Sequence, residues 1–502
     1  MDSRYANDHW ILEDDMGMAR TGDLLARMSL EVNTPFSVRV TGKWGSGKTS
    51  VLRRAFVTLK GQPVEQAVLL GEPKQEAGSD KWKNFHFDAD DRQPVLDWES
   101  EISSRAEQSL CVWYSPWQHQ QADNPLIPLL LEIKAQFSTR IKIGEKLNRS
   151  AGLATMTLLE RAIDGAATLM FQKNMKLVQG TTDAVRKSWK ESNPDLTKLS
   201  DGQRFQLLFE DAVENALKSL PENKKDDFKN SRLIIFIDDL DRCEESIIIN
   251  LLESIKLYLG SPHCVFVLGM DDTAILGALK RFWEGRSEDE NREYLEKMFQ
   301  ATVAVPLPKH KGIRGFLEKQ LCLHEFMEPK NCAVIIEELL EPNPRKIKNF
   351  LNSLCAAWNQ FNFKERAKDS DDVYRFIMFQ YIRLYHRPVW RILERQPKAL
   401  MILRQVLVGV PDEQLPEDVA FEEDLQGVLK ELFTRIFIHV VKDDEKNPED
   451  QKLYHRSIPI DQAVTLFEER LDRKRSDEVI VRLFKKFIPK NMALADIYLY
   501  LS

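Results

Sequence analysis

The sequence has 502 residues, of which 43% are hydrophobic and 30% are charged, and its formal net charge at pH 7 is −7. These values are typical of a globular protein with two or three domains, and they argue against a disordered or fibrous chain. The net negative charge argues against a protein that coats nucleic acid through a generally basic surface, but it does not exclude a local basic patch.

The first predicted strand leads into a glycine-rich loop. Residues 36–40 (FSVRV) form a β-prone run, and residues 42–50 read GKWGSGKTS. The stretch satisfies the P-loop pattern G-x-x-x-x-G-K-[ST], in which backbone N–H groups wrap a triphosphate and glycine tolerates the tight bend. The nucleotide-binding residues are therefore predicted to be Gly42, Trp44, Gly45, Ser46, Gly47, Lys48, Thr49 and Ser50.

Two residues of this loop have individual predicted roles. Lys48 is expected to bridge the β- and γ-phosphates, which makes it a catalytic candidate as well, and the Thr49 hydroxyl is expected to bind Mg²⁺. A helix predicted from Lys48 to about Leu59 adds the positive end of its dipole to the anion site.

The second predicted strand covers residues 110–114 (LCVWY), and it lies between two stretches that we interpret as insertions. The first insertion spans about residues 61–109 and is rich in polar turn residues, and the second spans about residues 141–200 and is interrupted by charges. Four helices are predicted around residues 126–139, 205–220, 246–259 and 273–283.

The third predicted strand carries an acidic pair at its end. Residues 233–239 read LIIFIDD, and an apolar run of this kind is typical of a parallel strand buried on both faces. Open α/β sheets bind ligands at the carboxyl ends of their strands. We therefore expect Asp238 to orient Mg²⁺, as a Walker B aspartate does, and Asp239 to act as the base that polarises the attacking water.

Two further strands, at residues 264–268 and 301–305, complete a predicted five-stranded sheet. Strands that alternate with helices imply a parallel sheet with right-handed crossovers. The expected fold is an α/β P-loop NTPase with strand order 5-1-4-3-2. Asp271, at the end of the fourth strand, is either a polar sensor of the γ-phosphate or, with Asp272, an N-cap of the helix that starts at Thr273.

ATP is the expected nucleotide. Residues 223–226 spell the guanine-reading pattern N-K-x-D, but they precede the third strand instead of following a later one. Residues 223–226 therefore do not lie where a guanine-binding motif would, and the expected ligands are ATP and Mg²⁺.

The remainder of the chain is predicted to be helical. Residues 1–310 are assigned to the nucleotide-binding core, residues 311–358 to a helical lid, and residues 359–502 to a helical interaction domain. Pro344 starts a basic helix, and its Arg345 is interpreted either as a lid residue that neutralises γ-phosphate charge or as part of a solvated basic face. His310 and His324 are expected at the surface.

Six scattered cysteines without a C-x-x-C pair are typical of a reducing compartment and do not indicate a zinc site. We find neither a secretory signal pattern nor a run of eighteen apolar residues. The expected location is therefore the cytoplasm, with no membrane span.

Several segments, taken in order, resemble the motifs of the KAP family of P-loop NTPases. They are GKWGSGKTS, VWYSPWQHQ, IIFIDDLDRC, FVLGMDD, YLEKMFQATVAVPLP and NPRKIKNFLN. The resemblance implies ATP binding and hydrolysis by a molecule related to the STAND and AAA+ groups. In bacteria, members of this family are associated with defence against bacteriophage, often beside partner proteins. Many members carry membrane-spanning helices before the Walker B strand, whereas this chain has a polar, charge-interrupted stretch there.

The resemblance supports the roles of Lys48, Thr49, Asp238 and Asp239, and it draws attention to further residues. Trp117 is most simply a core-packing residue at a strand end. Asp241 and Arg242 either pair with each other to cap the next helix or reach the nucleotide or a neighbouring subunit. These two alternatives stay open.

The sequence leaves three functions to compare. The first is an ATPase in which Asp239 positions water and either Arg345 or an arginine from another subunit completes the site, within a homo-oligomer or a complex with partner proteins. The second is an ATP-gated scaffold with negligible hydrolysis, because no glutamate follows Asp238. The third, a nucleic-acid motor, is disfavoured by the acidic balance.

Overall fold

In a computed structural model, the chain folds into two structural units. The first unit spans His9–Leu307, and the second comprises Met1–Asp8 with Pro308–Ser502. The structure describes residues 5–6, 16–59, 100–122, 125–143, 157, 159–160, 201–220, 223, 230–258, 261–283, 285–395, 397, 400, 404, 483, 486–489 and 492–501. Most of both predicted insertions and much of the predicted C-terminal domain lie outside these residues.

The first unit contains thirteen described helices and strands in the predicted alternation. In chain order they are α1 (Ala19–Glu31), β1 (Phe36–Thr41), α2 (Lys48–Thr58), α3 (Ser100–Glu107), β2 (Leu110–Tyr114), α4 (Leu126–Ile143), α5 (Asp201–Lys218), β3 (Leu233–Ile237), α6 (Glu245–Tyr258), β4 (Cys264–Met270), α7 (Asp272–Phe282), α8 (Glu288–Met298) and β5 (Ala301–Ala304). Short 3₁₀ turns follow β2, at Pro116–His119, and β3, at Leu240–Arg242.

The five strands form one parallel sheet in the order β2-β3-β4-β1-β5. This arrangement confirms the predicted fold class and strand order. Every residue of β2, β3 and β4 is buried, whereas residues of β5, at the sheet edge, alternate between half-buried and exposed. The continuous apolar runs are therefore explained by helices that cover both faces of the sheet.

Alternate residues of β2, β3 and β4 enter two different cores. Ile234 and Phe236 of β3 pack with residues of α1, α2 and α3, whereas Leu233, Ile235 and Ile237 pack with residues of α4 to α8. On the first face, Phe56 of α2 contacts Trp113 and Phe236 edge to face, with ring centroids 5.6 and 5.5 Å apart. Such aromatic pairs contribute about 0.5–1.5 kcal/mol each beyond burial. They fix α2, and with it the loop at its N-terminus, against β2 and β3.

The described residues of the second unit that lie in regular structure are all helical. The helices are α9 (His310–Leu323), α10 (Pro329–Leu339), α11 (Pro344–Gln360), α12 (Phe363–Arg366), α13 (Ser370–Tyr385), α14 (Arg387–Arg395) and α15 (Leu494–Leu501). Trp358 lies at the centre of their core and stacks on Phe326 with ring centroids 3.9 Å apart. In the part of the chain that the structure describes, no helix is both long enough and apolar enough to cross a membrane.

The surface expectation for the two histidines is right for His310 and wrong for His324. The His310 side chain is 75% exposed and pairs with Glu337. His324 is only 5% exposed, because it lies at the end of α9 against Tyr5 and hydrogen-bonds to Asn359.

Candidate nucleotide site

The candidate site lies where three strands end at the same edge of the sheet. Strand β4 lies between β1 and β3, so that Thr41 at the end of β1 is level with Met270, and Ile237 at the end of β3 is level with Leu268. The glycine-rich loop, the acidic pair and Asp271 therefore emerge side by side, as expected for a ligand site at the carboxyl ends of parallel strands.

The glycines of the loop have the backbone geometry that the pattern predicts. Gly45 and Gly47 have positive φ angles of 79° and 100°, in the region that favours glycine. A Cβ atom on Gly42 would lie 2.5 Å from the Ser46 Oγ, and one on Gly47 would lie 2.5 Å from the Met18 sulfur. The bend that leads into α2 therefore depends on these positions.

Other residues of the loop are held mainly through their backbone. The Trp44 N–H donates a hydrogen bond of 3.1 Å to the Asp271 carboxylate, while the Trp44 side chain is 66% exposed. Ser46 closes a turn by donating its N–H to the Lys43 carbonyl at 3.0 Å, and its buried Oγ has no hydrogen-bond partner among the described residues. Thr49 and Ser50 lie in the first turn of α2, where backbone N–H groups point toward the loop.

Lys48 is buried at the start of α2, and its ammonium group has three acceptors. The Nζ atom lies 2.9 Å from the Gly42 carbonyl, 3.5 Å from the Lys43 carbonyl and 3.1 Å from the Asp241 Oδ2. The predicted phosphate-binding cation is therefore held inside the loop and is paired with a carboxylate from the turn that follows β3.

Asp238 directly follows β3 and is 2% exposed. Burial raises the pKa of its carboxyl group, an effect that the Thr49 hydrogen bond opposes and the nearby charge of Asp241 adds to. Its Oδ2 atom has no hydrogen-bond partner within the described residues. A buried carboxylate oxygen of this kind, beside a threonine hydroxyl, fits a Mg²⁺ ion, because Mg²⁺ prefers hard oxygen ligands. Its positive charge would also stabilise the ionised carboxylate, which burial by itself disfavours.

Gly269 gives this carboxylate its space, although the sequence predicted no role for this glycine. A Cβ atom at Gly269 would lie 3.0 Å from the Asp238 Oδ1 and 2.6 Å from the Leu52 Cδ1. The glycine inside an otherwise apolar strand is the signal that could have revealed it, since glycine in a strand interior often marks a close approach.

Asp239 has an unusual backbone and a defined partner. It adopts a left-handed conformation with φ of 59°, and the 3₁₀ turn at Leu240–Arg242 starts from it. Its Oδ1 lies 2.8 Å from the Arg242 Nε. The Arg242 guanidinium lies over the Trp117 ring, 5.3 Å from its centroid, at a distance where cation–π attraction operates.

These contacts correct the expectation for Trp117 and rule out an ion pair between Asp241 and Arg242. The expected core packing of Trp117 is wrong, because its side chain is 44% exposed at the surface and contacts Arg242. The ion pairs of Asp241 and Arg242 also run to different partners, since Asp241 pairs with Lys48 and Arg242 with Asp239.

Asp271 is the N-cap of α7, which was one of its two predicted roles. Its carboxylate accepts a hydrogen bond of 3.0 Å from the Thr273 N–H. Its other oxygen accepts from Trp44, so the same side chain also holds the glycine-rich loop. Asp272 instead pairs with Arg39 at 3.6 Å, and burial raises the pKa of its carboxyl group.

Arg345 lies in the second unit, in the first turn of α11. Asn343 caps this helix by accepting hydrogen bonds from the Arg345 and Lys346 N–H groups at 3.1 and 3.2 Å. The cations of the helix are not uniformly solvated, because Lys346 is exposed, Arg345 half-buried and Lys348 buried.

Comparison with known proteins matches this arrangement to a family. A model of the KAP family P-loop domain matches residues 22–358, about two-thirds of the chain. The chain belongs to the KAP family of P-loop NTPases. The match includes the glycine-rich loop, the acidic pair and most of α11, which has Arg345 in its first turn.

Individual relatives of this KAP chain are distant. An uncharacterized protein of Methanocaldococcus jannaschii is 27% identical over 176 residues, which cover 30% of this chain and 84% of that protein. The solved structures include the Aeropyrum pernix ORC2 protein (12% identity, TM-score 0.30, 94% of each chain) and a Walker-type ATPase of Pyrococcus abyssi (13% identity, TM-score 0.33, 96% of this chain and 98% of that chain). At such TM-scores neither likeness bears on function.

Proposed function

We propose that this KAP-family chain binds ATP with Mg²⁺ and hydrolyses it, and that nucleotide state drives assembly or a conformational change. The observation that carries the proposal is the convergence of three groups at one sheet edge. These are the bent loop of Gly42–Ser50, the buried ammonium of Lys48 and the buried carboxylate of Asp238 beside Thr49. A polyphosphate and its cation need all three together.

Thr49 and Asp238 are the proposed ligands of the Mg²⁺ ion. When bound, Mg²⁺ supplies positive charge that offsets the charge developing on the phosphate oxygens. Asp238 is held in place by β3, by the Thr49 hydrogen bond and by the close packing of Gly269, so its carboxylate needs little rearrangement.

Lys48 and Asp239 are the proposed catalytic residues of the first unit. Lys48 stabilises negative charge on the β- and γ-oxygens, and Asp239 orients water for attack. Because Asp239 is paired with Arg242, it performs this role only when that ion pair opens or shares its carboxylate. Asp271 holds the loop through Trp44, and we propose that it senses the γ-phosphate through this contact.

The same ion pair favours a second function. If Arg242 keeps Asp239 engaged, the chain binds ATP without appreciable turnover and acts as an ATP-gated scaffold. Asp239→Asn separates the two functions. An ATPase loses turnover and keeps nucleotide binding, whereas a scaffold shows no turnover in the parent protein and unchanged assembly in the variant.

Nucleotide binding is tested with purified protein by calorimetric titration of ATP and by phosphate release in Mg²⁺. Lys48→Ala removes a charge-assisted hydrogen bond, which contributes about 1.5–3 kcal/mol, and we therefore expect ATP affinity to fall about 10- to 100-fold. Lys280→Ala is the matched control, because it removes an exposed cation on α7 in the same unit. Equal ATP affinity in the parent and Lys48→Ala would contradict the site.

The wider setting is also a proposal. The KAP resemblance favours a homo-oligomer or a complex with partner proteins in anti-phage defence, with Arg345 or a neighbour's arginine completing the site. Six free cysteines support a cytoplasmic location. Sizing the protein with and without ATP and Mg²⁺ tests assembly, and plaque counts on bacteria that express the parent or Lys48→Ala test defence. Equal plaque counts for the two would remove the defence role.

A further inference from the structure

Asp241 has no place in the mechanism above, yet it contacts the residue on which phosphate binding depends. We propose that Asp241 is a positioning residue for Lys48 and that it lowers the affinity of the site for polyphosphates, because its carboxylate occupies the ammonium group that the phosphate requires. This inference rests on the proposed nucleotide site.

The geometry of Lys48 supports direct competition. An ammonium group has three N–H donors, and the Lys48 ammonium has three acceptors: two loop carbonyls and the Asp241 carboxylate. A phosphate oxygen can accept a hydrogen bond from the Lys48 ammonium only by replacing one of these three acceptors. The carbonyls belong to the loop itself, so the side chain of Asp241 is the acceptor that can move.

Burial makes this competition strong. The side chains of Lys48 and Asp241 are both 8% exposed, so solvent and salt screen their attraction only weakly. Arg242, the next residue, pairs with Asp239 and not with Asp241. Within the described residues, Lys48 is the only ion-pair partner of Asp241 closer than 4 Å.

The Asp241 carboxylate weakens polyphosphate binding in two ways. It withholds Lys48 from the phosphate, and its negative charge repels an incoming polyphosphate. Asp241→Asn removes both effects while keeping the size of the side chain. We expect the variant to bind ATP about tenfold more tightly or better, a change within the usual range of coupling between two sites. A merely structural role would instead weaken binding.

The experiment compares the parent protein with Asp241→Asn by calorimetric titration of ATP and of inorganic tripolyphosphate. Titration in EDTA removes any contribution of Asp241 to metal binding, and phosphate release at varied ATP concentration in Mg²⁺ gives the KM for ATP. We expect tighter binding of both ligands in EDTA and a lower KM in Mg²⁺. If Asp241→Asn does not purify as a folded protein, Asp241→Ser removes the same charge and carries the same expectation.

Asp23→Asn is the matched control. Asp23 also forms a buried ion pair, with Arg54 of α2 at 2.8 Å, and their side chains are 11% and 13% exposed. Within the described residues the Lys48 ammonium bonds to the Gly42 and Lys43 carbonyls and to Asp241, and not to Asp23, so this variant should not bind ATP more tightly than the parent.

The outcomes separate this inference from the proposed function. If the parent protein binds neither ligand, the nucleotide site itself is wrong. If the parent binds ATP and Lys48→Ala weakens that binding, but the Asp241 variant binds no more tightly, only the present inference is overturned. An equal gain in Asp23→Asn would also overturn it, because the effect would then come from loosening α2.

Discussion

Gly269→Ala tests whether close packing beneath the candidate metal ligand determines both stability and metal binding. The added Cβ would lie 2.6 Å from the Leu52 Cδ1 and 3.0 Å from the Asp238 Oδ1. Carbon atoms pack best at about 3.5–4.0 Å, so Leu52 has to shift by about 1 Å. Neither neighbour has free space, since Leu52 is 0% and Asp238 2% exposed.

The expected loss of stability follows from two opposing contributions. Overpacking a buried site typically costs about 1–3 kcal/mol, and replacing a strand glycine by alanine returns about 0.5–1 kcal/mol of backbone entropy. We therefore expect the free energy of unfolding to fall by about 1–2 kcal/mol. Because Asp238 is displaced as well, we expect nucleotide binding to require about tenfold more Mg²⁺, which corresponds to about 1.4 kcal/mol.

Urea denaturation followed by tryptophan fluorescence measures the first effect, and Mg²⁺ titration at fixed ATP measures the second. Gly277→Ala is the control, since its nearest neighbouring atom is the Arg281 Nη1 at 3.5 Å and alanine stabilises a helix interior by up to about 1 kcal/mol. The two substitutions should therefore have opposite signs. A Gly269→Ala protein as stable as the parent, with the same Mg²⁺ requirement, would refute the packing argument.

Three further predictions address other parts of the chain. Asn343→Ala removes the cap of α11 and should cost about 1 kcal/mol in thermal denaturation, whereas Asn343→Asp should retain the cap; equal losses would contradict a capping role. At pH 8, iodoacetamide should label exposed Cys322 first, because burial raises the pKa of Cys264 and Cys355 to about 12 and leaves little thiolate; mass spectrometry of the native and urea-unfolded protein checks this order. Trp358→Ala should cost about 3–5 kcal/mol by opening a cavity in the second unit, and proteolysis should then cleave that unit before the first; unchanged protease resistance would refute its central place in that core.

Much of the fold follows from local requirements that are visible in the sequence. The runs LCVWY, LIIFI and CVFVL predicted buried strands because a parallel strand covered on both faces needs apolar residues at every position. Gly45 and Gly47 predicted the loop because its bend requires positive φ angles. Edge strand β5 was predicted from the apolar run ATVAV, although two of its four residues are half-buried and two are exposed.

Individual side chains were harder to predict, because burial depends on which segments meet. Trp113 and Trp117 lie close together in the sequence, yet Trp113 is 5% exposed and Trp117 is 44% exposed. Trp113 belongs to a strand and faces the core under α2, whereas Trp117 lies in the 3₁₀ turn beyond the strand end. The same local chemistry therefore gave opposite outcomes.

The sequence by itself determined the P-loop pattern, the candidate metal-binding carboxylate, the strand order and the family, because each depends on residue types at fixed spacing. Only the tertiary structure decided that Lys48 pairs with Asp241, that Arg242 holds Asp239 and that Gly269 makes room for Asp238. The Lys48 and Gly269 contacts join segments far apart in the chain that the sheet brings to one edge. The contact between Arg242 and Asp239 joins near neighbours in the chain. It depends on the left-handed backbone of Asp239, which the sequence pattern did not predict.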